Sequence, residues 1–457
     1  MLSTSTRRVL QFGVGRAALR GASSKAEAAE GKQQHQKKKL VILGTGWGGF
    51  RLAREVNKER YDVTVVSPRN HFLFTPLLPS TTVGTLEFRC IQEPVRTIKG
   101  LQYLQAQCTG VDFEAKSLRS REVFKGTEHD LDYDYLVIAT GAQNNTFGVP
   151  GVTEENNVFF LKQLGDARNI RNRLLECFER AASPYISDKE RSRLLSFVVV
   201  GGGPTSIEYA AELHDFLTTD VKRWYPDLQN KVSVQLVEAS DHIMGSFDEK
   251  LIDYTTGLLK NRKVQVHLNT SVQSIRHSEC TLGDGRALPF GLMVWSTGLA
   301  PIDLVRDMQG VKKEKGRIAI DGRLRVPGME GVFAMGDAAV DPEKPLGPLA
   351  QVADQQGKYL AKLLSNTDPL AGDIPPFHYR HLGSMAQVGD WKAIVDFKGI
   401  GGSSGAGSEP GPLLGGFLAF ATWRSAYWTK TVSIANKALI PMHWFKAWAF
   451  GRDISRF

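Results

Sequence analysis

Cysteine is scarce in this sequence, with 4 residues of this type among 457. Cys90, Cys108, Cys177 and Cys280 are far apart, and no Cys-x-x-Cys spacing occurs. That spacing is typical of zinc sites and of redox-active dithiols, so we expect neither a metal site nor a reactive cysteine pair. Buried, reduced thiols are the expected state of all four side chains.

Long apolar runs are also missing, because no uninterrupted stretch reaches the roughly 18 residues that a membrane-spanning helix requires. The chain likewise lacks a zinc finger and an aromatic-basic RNA-binding motif. Although the formal net charge is +9, we therefore expect no nucleic acid partner. The excess of lysine and arginine over acidic residues lies near the two ends, which favours a leader segment and a surface that faces a membrane.

The first residues have the composition of a targeting segment. Arg7, Arg8, Arg16, Arg20 and Lys25 precede the first acidic residue, and serines and apolar residues lie between them. Segments rich in arginine and poor in acids are typical of mitochondrial presequences. We assign residues 1–37 to a presequence and linker, with a disordered basic tail as the alternative.

Two glycine-rich turns organise the rest of the chain. At the first, a short apolar run leads into Gly44, Gly46 and Gly49 in the spacing Gly-x-Gly-x-x-Gly, and a helical pattern follows. Glycines permit the tight turn and let a pyrophosphate approach the amides at the start of the helix. The next apolar strand ends in Ser67, where nucleotide-binding folds usually have an acid that holds the ribose hydroxyls.

The order of strand, glycine turn and helix returns with Gly201 and Gly203, and Ser206 takes the third glycine position. The strand that follows ends in Glu238, whose carboxylate is placed to accept hydrogen bonds from an adenosine ribose. A carboxylate there also repels a 2′-phosphate, so we predict NADH rather than NADPH. A solvated surface glutamate is the alternative. Two such units predict an α/β chain with two Rossmann-type dinucleotide-binding domains.

A longer motif follows Ser67. Residues 68–80 read Pro-Arg-Asn-His-Phe-Leu-Phe-Thr-Pro-Leu-Leu-Pro-Ser, and Val-Gly-Thr follows at 83–85. This segment resembles the signature of the type II NADH:quinone oxidoreductases, the alternative, rotenone-insensitive NADH dehydrogenases of mitochondria. In that family a serine commonly stands at the position of Ser67. The resemblance covers the chain from about residue 38 onward.

The resemblance implies cofactor contacts in three further motifs. Thr140 and Gly141 follow a strand at the crossing from the flavin domain into the second domain, and Gly298 follows the strand at the return crossing. Gly336 and Asp337 resemble the later flavin motif, whose aspartate bonds the ribityl chain. The implied cofactors are FAD on the first fold and NADH on the second.

A glutamine pair and a glutamate are the catalytic candidates. Residues 348–360 are similar to the quinone motif of the family, and Gln351 and Gln355 share one helix face as i and i+4. Their amides can hydrogen-bond a quinone carbonyl without adding charge to an apolar pocket; a solvated helix face is the alternative. We place Glu208 in the first turn of the helix after the second glycine turn, as a proton relay or as a partner of the helix dipole.

The tail combines large aromatic side chains with cations. The aromatic residues are Phe417, Phe420, Trp423, Tyr427, Trp428, Trp444, Phe445, Trp448 and Phe450. The basic residues are Arg424, Lys430, Lys437, Lys446, Arg452 and Arg456. We expect amphipathic helices that lie in the membrane interface, with lysines and arginines facing anionic headgroups. An amphipathic packing helix or dimer helix is the alternative.

These expectations divide the chain into four regions. Residues 1–37 are the presequence, 38–160 and 300–380 the FAD-binding domain, 161–299 the NADH-binding domain, and 381–457 the C-terminal membrane-association region. The resemblance implies hydride transfer from NADH to FAD and passage of two electrons to ubiquinone in the respiratory chain, without proton pumping. We also expect a homodimer attached peripherally to the matrix side of the mitochondrial inner membrane.

Two alternative functions share these features. A sulfide:quinone oxidoreductase has the same architecture but needs reactive cysteines beside the flavin, which the scattered thiols do not favour. A membrane-anchored, NADH-sensing flavoprotein with a structural or signalling role would keep both nucleotide folds without turning over a quinone.

Overall fold

A computed structural model describes residues 37–371, 374–397 and 413–456 of the chain. Apart from Lys37, the predicted presequence lies outside the described residues. The elements of the first part are β1 (Lys38–Leu43), α1 (Trp47–Glu55), β2 (Tyr61–Val66), β3 (His71–Leu73), α2 (Leu78–Thr81), β4 (Gln92–Pro94), β5 (Gln102–Leu104), β6 (Ala106–Asp112), β7 (Ser117–Glu122), β8 (Glu128–Asp132), β9 (Tyr135–Ile138) and β10 (Ala142–Asn144).

The middle of the chain forms a second set of elements. They are β11 (Val158–Phe160), α3 (Leu164–Ala182), α4 (Asp188–Leu194), β12 (Ser196–Val200), α5 (Pro204–Phe216), α6 (Lys222–Trp224), β13 (Ser233–Val237), α7 (Glu249–Asn261), β14 (Gln265–His267), β15 (Val272–Arg276), β16 (Glu279–Leu282), β17 (Ala287–Pro289), β18 (Leu292–Trp295) and β19 (Leu299–Pro301).

The remaining elements return to the first domain and then form the C-terminal region. They are α8 (Asp303–Asp307), β20 (Lys313–Glu314), β21 (Arg317–Ala319), β22 (Val332–Ala334), β23 (Ala339–Val340), α9 (Ala350–Asn366), β24 (Ser384–Gly389), β25 (Lys392–Asp396), β26 (Leu413–Gly416), α10 (Phe417–Lys430) and α11 (Ile434–Phe450).

The first glycine turn lies at the centre of a five-stranded parallel sheet. The strand order is β22-β9-β1-β2-β5, and every neighbouring pair is parallel. The last four residues of β1 are all buried, as expected of a parallel strand that is covered on both faces. Helix α1 begins directly after the turn and packs against α9, which brings residues 350–366 beside the turn.

The second glycine turn lies at the centre of a matching sheet. Its strand order is β11-β18-β12-β13-β14, and again every neighbouring pair is parallel. In both sheets the strand before the turn is central, and the strand after the following helix lies beside it. The prediction of two Rossmann-type domains is therefore confirmed.

The two crossings between these sheets run side by side, because β10 pairs antiparallel with β19. Gly141 directly precedes β10 and Gly298 directly precedes β19, so the structure brings both crossing glycines to this ribbon. Our boundary after residue 160 is wrong in one respect. Val158–Phe160 forms β11, which pairs with β18 in the second sheet, so the chain enters the second domain before residue 160.

The C-terminal region begins with an antiparallel sheet in the order β24-β25-β26. Strand β24 packs against α5 of the second domain, and α10 packs against β25. Trp423 of α10 and Ile440 of α11 are buried. The exposed apolar side chains of the two helices are Phe417, Leu418, Trp428, Ile434, Met442, Phe445, Trp448 and Phe450. In the part of the chain that the structure describes, no helix combines the length and apolarity needed to cross a bilayer.

Candidate functional site: two nucleotide turns and a buried glutamate

The first glycine turn leaves an open cradle. Gly44 has a φ of +104°, and a Cβ there would lie 2.5 Å from the carbonyl oxygen of Ala139, so only glycine fits. A Cβ added at Gly46 would have no neighbouring atom within 4 Å. Gly49 packs its backbone onto that of Gly44. Thr140 Oγ1 is buried without a hydrogen-bond partner among the described residues. The open space and the unpaired hydroxyl fit a dinucleotide such as FAD.

Ser67 is buried at the end of β2. Its hydroxyl lies 3.1 Å from the hydroxyl of Thr45, a residue of the first glycine turn. Ser67 therefore lies beside the first glycine turn, and its contact with an adenosine ribose stays a prediction. It offers a neutral hydroxyl in place of a carboxylate.

The later flavin motif also reaches this cradle. The N–H of Gly336 donates to Gln356 Oε1 at 2.7 Å, so α9 holds the motif in place. Burial raises the pKa of Asp337, and the charges of Lys162 and Arg317 act in the opposite direction. A half-buried aspartate near two cations suits hydrogen bonding to ribityl hydroxyls, and this role stays a prediction.

The second glycine turn has the same geometry. Gly201 has a φ of +108°, and a Cβ there would lie 2.7 Å from the carbonyl oxygen of Ser296. A Cβ added at Gly203 would also have no neighbouring atom within 4 Å. Ser206 is buried at the third glycine position, and its hydroxyl donates to the same Ser296 carbonyl at 3.3 Å. Serine is thus accommodated where the usual motif has glycine.

Glu238 lies beside this turn, as predicted. One of its carboxylate oxygens accepts a hydrogen bond from the N–H of Gly202. The other accepts from the N–H and the hydroxyl of Ser240, both at 2.7 Å. These bonds hold the carboxylate at the end of β13, so the structure brings the glycines and the acid together. Their contact with NADH stays a prediction.

Glu208 is the fifth residue of α5, which begins at Pro204. It therefore lies in the second helical turn, not in the first turn where we placed it, and there the helix dipole has little effect. The residue is 8% exposed, and its Oε1 accepts a hydrogen bond of 3.3 Å from the N–H of Gln387. Burial raises the pKa of Glu208 from 4.5 to about 8, and the Glu212 carboxyl adds to the rise. A carboxyl group of this kind can exchange a proton at neutral pH.

Gln351 and Gln355 contact backbone. Gln351 donates to the carbonyl of Gly383 at 3.2 Å and accepts from the N–H of Leu382 at 3.1 Å. Gln355 donates to the carbonyl of Arg380 at 2.8 Å and accepts from its N–H at 3.0 Å. Both amides thus hold the segment that enters the C-terminal region. Their hydrogen bonds to a quinone stay a prediction.

A row of aromatic rings, the aromatic file, leads from the first glycine turn to α10. Trp47 directly follows Gly46, and its ring centroid lies 5.4 Å from that of Phe74. The next separations are 6.0 Å from Phe74 to Tyr427 and 5.1 Å from Tyr427 to Trp423. The charge of Glu208 contributes to the raised pKa of Tyr427, and Trp423 stabilises the charged form of Glu208.

Two basic residues that we expected to face lipid headgroups point inward, so that expectation is wrong for them. The guanidinium of Arg424 lies 4.6 Å from the Phe420 ring and 4.2 Å from the Trp444 ring. Burial lowers the pKa of Arg424 to about 10. Arg452 forms a 2.8 Å ion pair with Asp220, in which both side chains are nearly buried. Arg424 therefore packs between the two tail helices, and Arg452 joins the tail to the second domain.

Sequence reasoning missed two residues that carry a recognisable signal. Glu212 is a second acid one turn after Glu208, within a run of α5 that is buried from residue 206 to 213. Gln356 falls on the buried stripe of α9 together with Val352 and Leu360. A polar side chain at an apolar helical position indicates a specific partner. Asp220 and Arg452 carry no comparable signal.

The fold and this geometry define a flavoprotein oxidoreductase with two dinucleotide-binding domains. Residues 38–357 match the family model described as pyridine nucleotide-disulphide oxidoreductase, and residues 381–453 match the NDH2 C-terminal domain. The chain belongs to the type II NADH dehydrogenase family, NDH2. The resemblance stated from the sequence is confirmed.

Relatives match along most of the chain. A probable NADH dehydrogenase of Dictyostelium discoideum is 42% identical over 428 residues, covering 92% of each chain. External NADH-ubiquinone oxidoreductase 2 of Saccharomyces cerevisiae is 39% identical, covering 92% of this chain and 82% of the relative. The structure of NDH2 from Plasmodium falciparum in complex with NADH aligns with a TM-score of 0.85 at 26% identity, covering 92% of this chain and 100% of that chain.

The four cysteines argue against the sulfide:quinone alternative. All are buried and free of disulfides. Burial raises the pKa of Cys90, Cys108 and Cys177 to about 11 and that of Cys280 to about 12. Thiols of this kind remain protonated and do not act as nucleophiles at neutral pH.

Proposed function

We propose that this chain binds FAD, oxidises NADH and reduces ubiquinone at a membrane surface without moving protons across it. The observation that carries the proposal is the continuity of the site. Four features follow one another through the fold: the first glycine cradle, the aromatic file, buried Glu208, and the exposed apolar side of α10 and α11. Relatives named NADH-ubiquinone oxidoreductases support the same pair of substrates.

The chain contributes binding, orientation and proton transfer to this reaction. When FAD is bound, it accepts a hydride from NADH and supplies two electrons to the quinone. The first cradle would hold FAD through Gly44, Gly46 and Thr140, and the second would orient NADH through Gly203 and Glu238. Positioning the two nucleotides against each other accounts for most of the rate enhancement.

Apolar side chains along the aromatic file suit a quinone, because a quinone headgroup is flat and its tail is apolar. Glu208 lies beside Tyr427 and Trp423 at the inner end of this route. With a pKa raised to about 8, its carboxyl carries a proton at neutral pH and donates it to a reduced quinone oxygen. Proton transfer would explain why a carboxyl group is buried at this position, since packing alone does not require one.

The direct test measures colour and turnover. Purified protein should show a flavin spectrum that bleaches when NADH is added without oxygen, and it should reduce a short-chain quinone with NADH. Glu208→Gln should keep the bleaching by NADH and slow quinone reduction by about a hundredfold. Colourless protein, or NADH bleaching without quinone reduction in the unaltered chain, would contradict the proposal.

The membrane contact that we propose lies on the exposed side of α10 and α11. Phe445, Trp448 and Phe450 are 59%, 66% and 70% exposed, and three large apolar side chains on one helix end favour insertion below lipid headgroups. Replacing all three by serine should reduce sedimentation with anionic vesicles by at least about tenfold. Phe124 and Tyr185, which are 74% and 94% exposed elsewhere, give the matched control when replaced by serine.

We also propose a mitochondrial location, on the inner membrane and facing the matrix. Mitochondrial relatives named internal and external both match this chain, so protease protection of the imported protein in mitoplasts is the deciding measurement. Digestion from the outer face would overturn the matrix assignment.

The predicted homodimer is tested by light scattering in mild detergent.

A further inference from the structure

We infer that Glu212 and the cavity beside it form the route by which the proton consumed in the reaction reaches Glu208. This inference rests on the proposed function. The C-terminal cavity, as we name it, has a volume of ≈ 300 Å³ and is lined by Thr85, Glu212, Gln387, Arg424, Trp444 and Arg452, among others. It lies where α5, the turn between β24 and β25, and the helices α10 and α11 meet.

The reaction needs such a route because its protons do not balance without solvent. NADH gives up a hydride, which is a proton with two electrons. A quinone takes two electrons and two protons to become a quinol. The net reaction, NADH + H⁺ + quinone → NAD⁺ + quinol, therefore takes one proton from solution. Because Glu208 is only 8% exposed, a proton that it donates must be replaced through the protein.

Glu212 lies where it can supply the replacement proton to Glu208. It follows Glu208 by four residues on α5, so the two side chains share one helix face. Gln387 contacts both carboxyl groups: its backbone N–H donates to Glu208 Oε1 at 3.3 Å, and its Nε2 donates to Glu212 Oε1 at 3.3 Å. The two carboxyl groups are thus neighbours in one buried polar cluster.

The surroundings of the two carboxyl groups differ. Besides Gln387, the hydroxyls of Ser80 and Thr85 each donate to Glu212 at 2.6 Å, and Arg452 lies 3.8 Å from its Oε2. This set of donors suits a carboxylate. Glu208 accepts a long hydrogen bond from the Gln387 N–H, and burial raises its pKa although Gln387 and Trp423 both stabilise its charged form. Neighbouring carboxyl groups in unequal surroundings are a common arrangement for proton transfer.

The C-terminal cavity connects Glu212 with solvent. A cavity of ≈ 300 Å³ has room for several water molecules, and its polar lining gives them partners. Six charged groups line the cavity beside Glu212: Asp215, Asp220, Arg223, Asp390, Arg424 and Arg452. Tyr427 of α10 interacts with Glu208.

The proposed transfer conserves atoms and charge. When the O–H bond of Glu208 breaks, a quinol O–H bond forms and a Glu208 carboxylate remains. The Glu212 carboxylate takes a proton from hydronium in the C-terminal cavity and passes it to the Glu208 carboxylate, so both groups return to their starting states. Glu212 acts through Glu208 and is therefore a positioning and relay residue.

The first experiment follows the resting, oxidised enzyme without NADH or quinone. Infrared spectroscopy records exchange of the Glu208 carboxyl proton for deuterium, and Glu208→Gln identifies its band. We expect Glu212→Gln to slow this exchange by about tenfold or more, and Glu212→Asp to keep it fast, because a carboxyl group is retained. Thr218→Val, which changes another side chain lining the cavity, should exchange like the unaltered protein. Equal exchange rates in Glu212→Gln and the unaltered enzyme would overturn the inference.

The second experiment measures turnover against pH. Glu212→Gln should bleach with NADH at the normal rate but reduce quinone about a hundredfold more slowly, with the largest loss at alkaline pH. Formate should restore part of the rate in Glu212→Ala, because this small acid fits the cavity and replaces the missing carboxyl. An unchanged pH profile overturns the relay. Failure of the unaltered enzyme to reduce quinone would overturn the proposed function instead, while the exchange experiment still decides on Glu212.

Discussion

Replacing Glu208 by glutamine should stabilise the protein relative to the unaltered chain, and by a larger amount as the pH rises. Burial raises the pKa of this carboxyl from 4.5 to about 8, so the folded protein keeps a proton that the unfolded chain releases above pH 4.5. The unaltered protein therefore loses stability between pH 4.5 and about pH 8. Glutamine has nearly the same shape and no proton to lose, so the variant avoids this loss.

The size of the effect follows from the shift. One unit of pKa difference corresponds to about 1.4 kcal/mol. Between pH 4.5 and pH 7 the free energy of unfolding of Glu208→Gln should therefore gain about 3 kcal/mol relative to the unaltered protein. The gain is absent below pH 4.5, where both folded and unfolded carboxyl groups are protonated.

Urea unfolding followed by tryptophan fluorescence, at about pH 5 and pH 7 with FAD in excess, measures the difference. Glu93 provides a matched control because it has the same 8% exposure. Its carboxylate accepts hydrogen bonds from the N–H of Ser433 at 3.0 Å and from Asn436 at 2.8 Å, so Glu93→Gln should destabilise. A Glu208→Gln variant that is no more stable at pH 7 than at pH 5, relative to the unaltered protein, would show that Glu208 is ionised in the fold.

Three further outcomes test the nucleotide sites. Gly44→Ala should yield protein with at least about tenfold less bound flavin by absorbance, because its Cβ would lie 2.5 Å from the Ala139 carbonyl oxygen at a φ that alanine disfavours. Glu238→Ala should raise kcat/KM for NADPH relative to NADH by about tenfold, since a carboxylate that repels the 2′-phosphate is gone; an unchanged ratio would place Glu238 outside the ribose site. Gln356→Ala leaves the Gly336 N–H unpaired and should raise the FAD dissociation constant by about tenfold in a titration of flavin-depleted protein.

Local patterns allowed the two nucleotide folds to be predicted. A buried strand, a glycine turn and a helix are neighbours in the chain, so their residue types reveal them without knowledge of distant contacts. Gly44 and Gly201 are the clearest cases, because each has a positive φ and a carbonyl oxygen where a Cβ would be. Glu238 was recognised for the same reason, since it ends the strand after the second turn.

Long-range contacts could not be predicted in this way. Arg452 bonds Asp220 across 232 residues, and Gln351 bonds Gly383 across 32 residues. Whether a side chain is exposed, and which residue it contacts, depends on how whole helices and strands pack. A single sequence does not specify that packing. The strand β11 was assigned to the wrong domain because a short apolar strand fits either sheet equally well.

The nesting of one domain inside the other sets the order in which the chain can fold. All strands of the second sheet lie between residues 158 and 295, whereas the first sheet needs β22 at Val332–Ala334 to cover the edge of β9. The inner domain can therefore finish while the outer one still has a bare strand edge. Such edges pair with other chains, so a nascent copy is most prone to aggregate before its later third emerges, and chaperones would act in that interval.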